Sequence, residues 1–251
     1  MRTLFAFLAL ACSAAPAASV DEYLLAVAHD LPPAASETLQ RVDGTSRQLL
    51  AVRAYLRAGP HLSSRWSWSA DAIRAYESSQ EYRDLLAEIA AVRARFEAQN
   101  PGYSLYANTT ARSPDLQLRR WNSNESVGVI AHRLQEAVER ELTARAYPAH
   151  PDAKAALRFA EFLRDWRPTP SAAPLAAPGL SQHGRSRAID FQIVQDGRII
   201  APTEVAKVRS VWERQGWAGK LAAAMRESRF LGPLQSPNEP WHYEYAPEQR
   251  P

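Results

Sequence analysis

The chain has 251 residues, 46% apolar and 23% charged, with 30 basic side chains against 27 acidic ones and a net charge of +3. At this length, ordinary globular usage allows one large domain or two small ones and excludes a disordered, collagenous or multi-span membrane protein. Arginines alternating with acids along helical stretches give an ion-paired surface rather than a phosphate-binding stripe, so no nucleic-acid partner is expected.

Residues 1–19 are predicted to be a secretory signal peptide. Arg2 supplies the positive start, residues 4–11 the short apolar run, and residues 13–19 the small side chains before a cut near Ala18 and Ser19. That run is too short to span a bilayer, and no later stretch would span one. Cys12, the only cysteine, lies inside the leader, so a mature chain cut behind it has no disulfide. The alternative is lipidation of Cys12 as a membrane anchor, for which Ala9-Leu10-Ala11 is a poor signal. Both readings place the protein outside the cytoplasm, in the periplasm or on the cell envelope.

Residues 20–100 read as a helical region. Ser46 is expected to cap a helix carrying Leu49, Val52 and Leu56, which Gly59-Pro60 stops. A longer helix is expected from Ser78, with Glu81 completing a capping box. Its stripe is Tyr82, Leu85, Leu86, Ile89, Val92 and Phe96, and Asn100-Pro101-Gly102 ends it. Trp66 and Trp68 suit a core edge better than a carbohydrate platform. Residues 103–110 alternate like a strand. Residues 127–146 and 152–166 look helical, the second capped by Asp152. Prolines 168, 170, 174 and 178 make residues 167–180 an extended loop. Residues 188–200 read as a hairpin turning at Asp196-Gly197, residues 207–226 as a helix, and residues 241–245 as a closing strand. Helices first and a small hairpin-built sheet later predict an α+β fold, with residues 101–251 as the domain that carries the chemistry.

Two clusters carry that chemistry. One is Ser181-Gln182-His183-Gly184-Arg185-Ser186-Arg187-Ala188-Ile189-Asp190, the other Asn238-Glu239-Pro240-Trp241-His242. A catalytic zinc needs three N or O ligands and one open position. His183, Asp190 and His242 would fill the three. A flat strand would send Glu239 and His242 to opposite faces, but Pro240 favours a turn that brings Glu239 to the side of His242, where it can act as base on the attacking water. An iron oxygenase fits less well, since its carboxylate stands two residues after the first His, and no Gly-rich phosphate loop or nucleophile elbow occurs.

The flanking residues resemble the zinc D-alanyl-D-alanine carboxypeptidases, the vancomycin-resistance carboxypeptidase type, which are related to lysostaphin-type peptidases and the hedgehog domain. The likeness rests on Ser181, His183, Ala188 and Asp190, and on Glu239-Pro240-Trp241-His242 with Tyr243 following. It covers residues 101–251. Ser186 stands where the family usually has glycine. Upstream, Ala111-Arg112-Ser113-Pro114-Asp115-Leu116-Gln117 matches the family's Tyr-Arg-Ser-x-x-x-Gln, with alanine for the tyrosine. The resemblance implies one zinc on His183, Asp190 and His242, and Glu239 as catalytic base. It also implies Arg112 polarising the scissile carbonyl or gripping a substrate carboxylate, with Gln117 and Ser181 as substrate contacts. Peptidoglycan stem peptides are the implied substrate. The alternative is a zinc-containing wall-binding or signalling module without turnover, which could lose Glu239 and keep its ligands.

Overall fold

The structure, a computed structural model, describes residues 17–169, 175–235 and 238–248. The expected leader up to residue 16, Cys12 included, and Pro170 and Pro174 of the expected loop lie outside the described residues.

The chain opens with α1 (Val20–Ala28), α2 (Pro33–Gln40), α3 (Thr45–Ala58), a short α4 (Leu62–Arg65), α5 (Ala70–Glu77) and the long α6 (Gln80–Gln99). Strand β1 (Ser104–Asn108) follows, then α7 (Pro114–Ser123), α8 (Glu125–Ala144) and α9 (Ala153–Asp165). The last third holds β2 (Ala188–Gln195), β3 (Arg198–Ala201), α10 (Trp217–Met225), β4 (Phe230–Leu231) and β5 (His242–Tyr245). The fold is α+β, as the order of elements predicts. No helix among the described residues is long and apolar enough to cross a membrane.

All strand pairs are antiparallel, in the order β1-β2-β5-β4. The edge of β2 opposite β1 is shared, by β5 at residues 188–190 and by β3 at residues 193–195. Asp196 and Gly197 both take positive φ in the β2–β3 turn, the conformation a two-residue hairpin of matching twist requires. Ile189, Phe191 and Ile193 of β2 and Tyr243 and Tyr245 of β5 face α6 and α10 across a core that includes Phe96, Trp212 and Trp217. Asp190 and His242, one position out of phase, stand on the other face.

A second core gathers α1, α2, α3, α4, α7, α8 and α9, with Tyr23, Leu49, Trp121, Leu134 and Phe159 at its centre. The two cores interleave along the chain. Helix α6, which precedes residue 100, packs on the sheet, whereas α7, α8 and α9, which follow it, pack with the N-terminal helices. The expected division between residues 100 and 101 therefore does not coincide with the division between cores.

Several expected boundaries move. Ser46 does not cap α3; it is buried inside the first turn, and Gly44 precedes the helix. Ser79, not Ser78, caps α6, its hydroxyl accepting from Tyr82 N–H at 3.2 Å, because Ser78 closes α5 and donates its hydroxyl to Arg74 O at 3.2 Å. Glu81 turns to Arg187 instead of completing a capping box, at 3.2 Å. Leu86 lies off the buried stripe and is 40% exposed. The single helix expected over residues 207–226 is interrupted: a 3₁₀ turn Val205–Lys207 and a π-helical segment Val208–Glu213 precede α10, and Gly216, at φ 75°, breaks the run. Trp66 packs on Tyr55 at the margin of the helical core, and Trp68 packs on Tyr76 with the rings tilted.

Candidate metal centre

Two stretches far apart in sequence, residues 183–190 and residues 239–242, meet on the face of the sheet turned away from α6 and α10. Asp190 and His242 are direct partners in the β2–β5 ladder, so their side chains project side by side. His183 comes from the 3₁₀ turn Gln182–Arg185 just before β2. That turn leaves through Ser186 in the left-handed region, at φ 51°, the conformation glycine adopts most readily. Glycine is the residue the resemblance expects at this position, and serine takes the same backbone shape here. Gly184 is required for a different reason: a Cβ there would overlap the Ser67 hydroxyl and the Gln117 amide.

His183 Nε2 lies 3.4 Å from Asp190 Oδ2, and His242 Nδ1 lies 3.1 Å from Asp190 Oδ1. The two imidazole rings meet edge to face, with centroids 5.0 Å apart. Each imidazole is 10% exposed and the carboxylate 12%. One ligand atom from each residue falls within 4.8 Å of the others, so this group could bind a metal ion. A carboxylate between two imidazoles is a donor set suited to a borderline divalent metal.

The turn expected at Pro240 is present. His242 N–H donates to Glu239 O at 3.0 Å, and Glu239 Oε2 ends 3.7 Å from His242 Nδ1, on the ligand side. Arg112, between β1 and α7, reaches the centre as well: its Nη2 donates to Asp190 Oδ2 at 3.1 Å. Its backbone N–H donates to His183 O at 3.0 Å.

The electrostatics follow from burial and from these contacts. Burial pushes the His183 imidazole below its ordinary value, with Asp190 opposing, so the ring favours the neutral, ligating form. Burial raises the Asp190 carboxyl, but hydrogen bonds from His183 and His242 outweigh it and hold the group well below the usual carboxylate range. Glu239 is pushed up, first by burial, with Asp190 adding and His242 opposing. Two carboxylates that both approach His242 Nδ1 are thus driven in opposite directions, one fixed as an anion and one nearer to exchanging a proton. Arg112 is lowered by burial, against the attraction of Asp190.

Gln117 is the correction at this site. Its Nε2 donates to Ser67 Oγ at 2.8 Å and to Arg112 O at 2.6 Å, while its Oε1 accepts from Gly179 N–H at 3.0 Å and Ser181 N–H at 3.3 Å. Two donors and two acceptor sites exhaust a carboxamide, so this side chain has no capacity left for a substrate. It ties the Arg112 segment to the His183 segment instead. Ser181 sits half-buried on the same segment, its backbone N–H and C=O both engaged.

Two residues at the centre escaped the sequence reading. Asn108 pairs with Asp190 across β1 and β2, and strand parity alone would have placed it there had the register been known. Ser67 contacts the His183 segment from the N-terminal helices and carries no local signal. No protein-family model, characterised protein or solved structure matches the chain.

Proposed function

We propose that the protein is an exported, zinc-dependent peptidase of the D-alanyl-D-alanine carboxypeptidase kind, acting on peptidoglycan stem peptides. The observation that carries the reading is the convergence of Arg112, His183, Asp190, Glu239 and His242 on one nearly buried point, from three stretches distant in sequence: around residue 112, residues 183–190 and residues 239–242. Two ligands about 2.1 Å from zinc at a tetrahedral angle lie about 3.4 Å apart, and the observed separations of 3.1 and 3.4 Å are compatible with that spacing.

Bound zinc would supply a Lewis acid and bring the pKa of the attacking water toward ~7. Glu239, its carboxylate made more basic by burial, takes the proton released as that water attacks the scissile carbonyl, and returns it to the leaving amine. Arg112 orients Asp190 through its 3.1 Å bond. A guanidinium carries five donors in a rigid fork, so Arg112 has N–H groups left to meet developing negative charge on the carbonyl oxygen. The near-complete burial of the ligands excludes bulk water from this exchange and strengthens each of these interactions. Glu239 is the feature that favours turnover over a binding module, since metal retention alone has no use for a second, higher-pKa carboxyl beside the ligands.

The test is direct. Purified mature protein with one zinc per chain is incubated with muropeptides ending in D-alanyl-D-alanine, and the products are identified by mass. Release of D-alanine or cleavage within the stem is expected, together with loss of zinc in His183→Ala and His242→Ala. Zinc content undiminished in both variants would reject the ligand assignment, and intact muropeptides would reject the peptidase.

A further inference from the structure

His183 is the one ligand of the three that does not sit on the sheet, and what fixes it comes in large part from the N-terminal helices. Residues 66–68, between α4 and α5, run beside residues 179–184. Ser67 N–H donates to Gly179 O at 2.7 Å and Trp68 N–H to Gly184 O at 2.9 Å. The Ser67 hydroxyl, on a residue 4% exposed, accepts from Gln117 Nε2 at 2.8 Å and faces the carbonyls of Gly179 at 3.0 Å and Ser181 at 3.2 Å. On the other side Arg112 N–H holds His183 O, and within the turn Gly184 N–H holds Ser181 O at 2.9 Å. The missing Cβ of Gly184 lets the turn press directly on the Ser67 hydroxyl.

We propose that Ser67 is a positioning residue for His183, so that the helical N-terminal region helps to complete the metal centre through this hydroxyl. The proposal rests on the metal-binding reading above and deepens it. Asp190 and His242 are held relative to each other by the β2–β5 ladder, whose strands pack in the sheet core rather than the helical one. His183 is held by residues 67, 68, 112 and 117, and Ser67 is where these contacts cross. A metal site demands ligands placed within about half an ångström. Removing the hydroxyl strands a buried Gln117 N–H and takes away the single O–H that faces the Gly179 and Ser181 carbonyls, which frees His183 to move while the other two ligands stay.

The experiment is Ser67→Ala in the full mature chain, with Gln117→Glu as a second variant that keeps the side-chain shape and loses both donors. Hydrogen exchange is measured on the metal-free protein, where it reads local opening. The amides of Ser181 and Gly184 should exchange at least ~10-fold faster in Ser67→Ala, with residues 189–193 of β2 unchanged. Zinc affinity, measured by competition with a chelator, should fall about 10- to 100-fold, the range for groups that orient a ligand, and the absorption spectrum of the cobalt-loaded protein should shift. A merely structural serine predicts something else: exchange raised alike in α3, α8 and β2, with zinc affinity and cobalt spectrum as in the wild type. That result, or unchanged exchange in both variants, overturns the proposal. If the wild-type chain takes up no metal, the zinc reading fails on its own, and the exchange measurement still decides whether Ser67 holds the His183 turn.

Discussion

Replacing Glu239 by glutamine separates proton transfer from metal binding. Glu239 Oε2 stands 3.7 Å from His242 Nδ1, longer than a hydrogen bond, so the three ligands do not depend on it for orientation. Zinc should remain at one per chain, with affinity changed by less than the ~10-fold that marks the loss of a ligand's own partner. What disappears is a carboxyl whose proton affinity burial has raised. A positioned general base contributes about 10²–10⁴ in rate, or about 2.7–5.4 kcal/mol at 1.36 kcal/mol per factor of ten. The same carboxylate both takes and returns the proton, so the middle of that range, a ~10³-fold fall in kcat (~4 kcal/mol), is expected, with KM within about threefold. The assay is D-alanine release from a D-alanyl-D-alanine-terminated muropeptide, with zinc content determined on the same sample. A kcat within ~10-fold of wild type at full zinc occupancy would refute the base assignment. Loss of zinc together with activity would refute the separation of roles.

Arg112→Lys keeps the charge and loses the fork. The Arg112–Asp190 contact at 3.1 Å is a charge-assisted bond worth about 1.5–3 kcal/mol, so kcat/KM should fall about 10- to 150-fold, mostly in kcat if the group also meets developing charge; a loss confined to KM would place Arg112 on a substrate carboxylate instead. Acid should destabilise the metal-free chain. Burial holds the His183 pKa below its ordinary value, so as the pH drops under ~6.5 the unfolded state takes up that proton first and stability declines. The stabilising effect of the depressed Asp190 pKa, present above ~3.9, is lost only at lower pH. Glu239, whose carboxyl is pushed up by burial, works the other way because its folded form takes up the proton first, so the melt is run on Glu239→Gln. With chelator present its melting temperature should fall between about pH 7 and pH 5, and a rise over that window would contradict the buried neutral imidazole.

The His183, Asp190 and His242 group, which could bind a metal ion, was legible because each of its two halves is local. Strand parity puts Asp190 out of phase with Ile189 and Phe191, and a proline after Glu239 forces the turn that the structure contains. The helix α7 was legible too and went unread: Ser113 caps it, Pro114 opens it and Asp115 follows in its first turn, which is a complete start signal. Gln117 was misread because the same residue at the same spacing serves equally well as a substrate contact or as a tie between two loops. Only the positions of residues 67, 179 and 181 decide between them.

What the sequence could not supply is which layer each helix covers. An amphipathic stripe states that a helix buries one face, not against what, so α6 and α8 look alike although one packs on the sheet and the other on α3. Reading the first hundred residues as a separate unit followed from that ambiguity. The packing argues for a different organisation. The segment carrying His183 leaves the helical core at Ala177 and Leu180 and enters the sheet core at Ile189 and Phe191. The helix carrying Gln117 places Leu118 and Trp121 in the helical core, while Arg112 just before it reaches Asp190 on the sheet. The centre therefore sits on the seam between the cores, with one ligand fixed from the helical side and two from the sheet. A cut at residue 100 would take away Ser67, α3 and α6 together, exposing apolar surface on both cores and removing one support of the His183 turn. The N-terminal helices are thereby part of the scaffold that builds the centre, whatever further partners their outer faces meet.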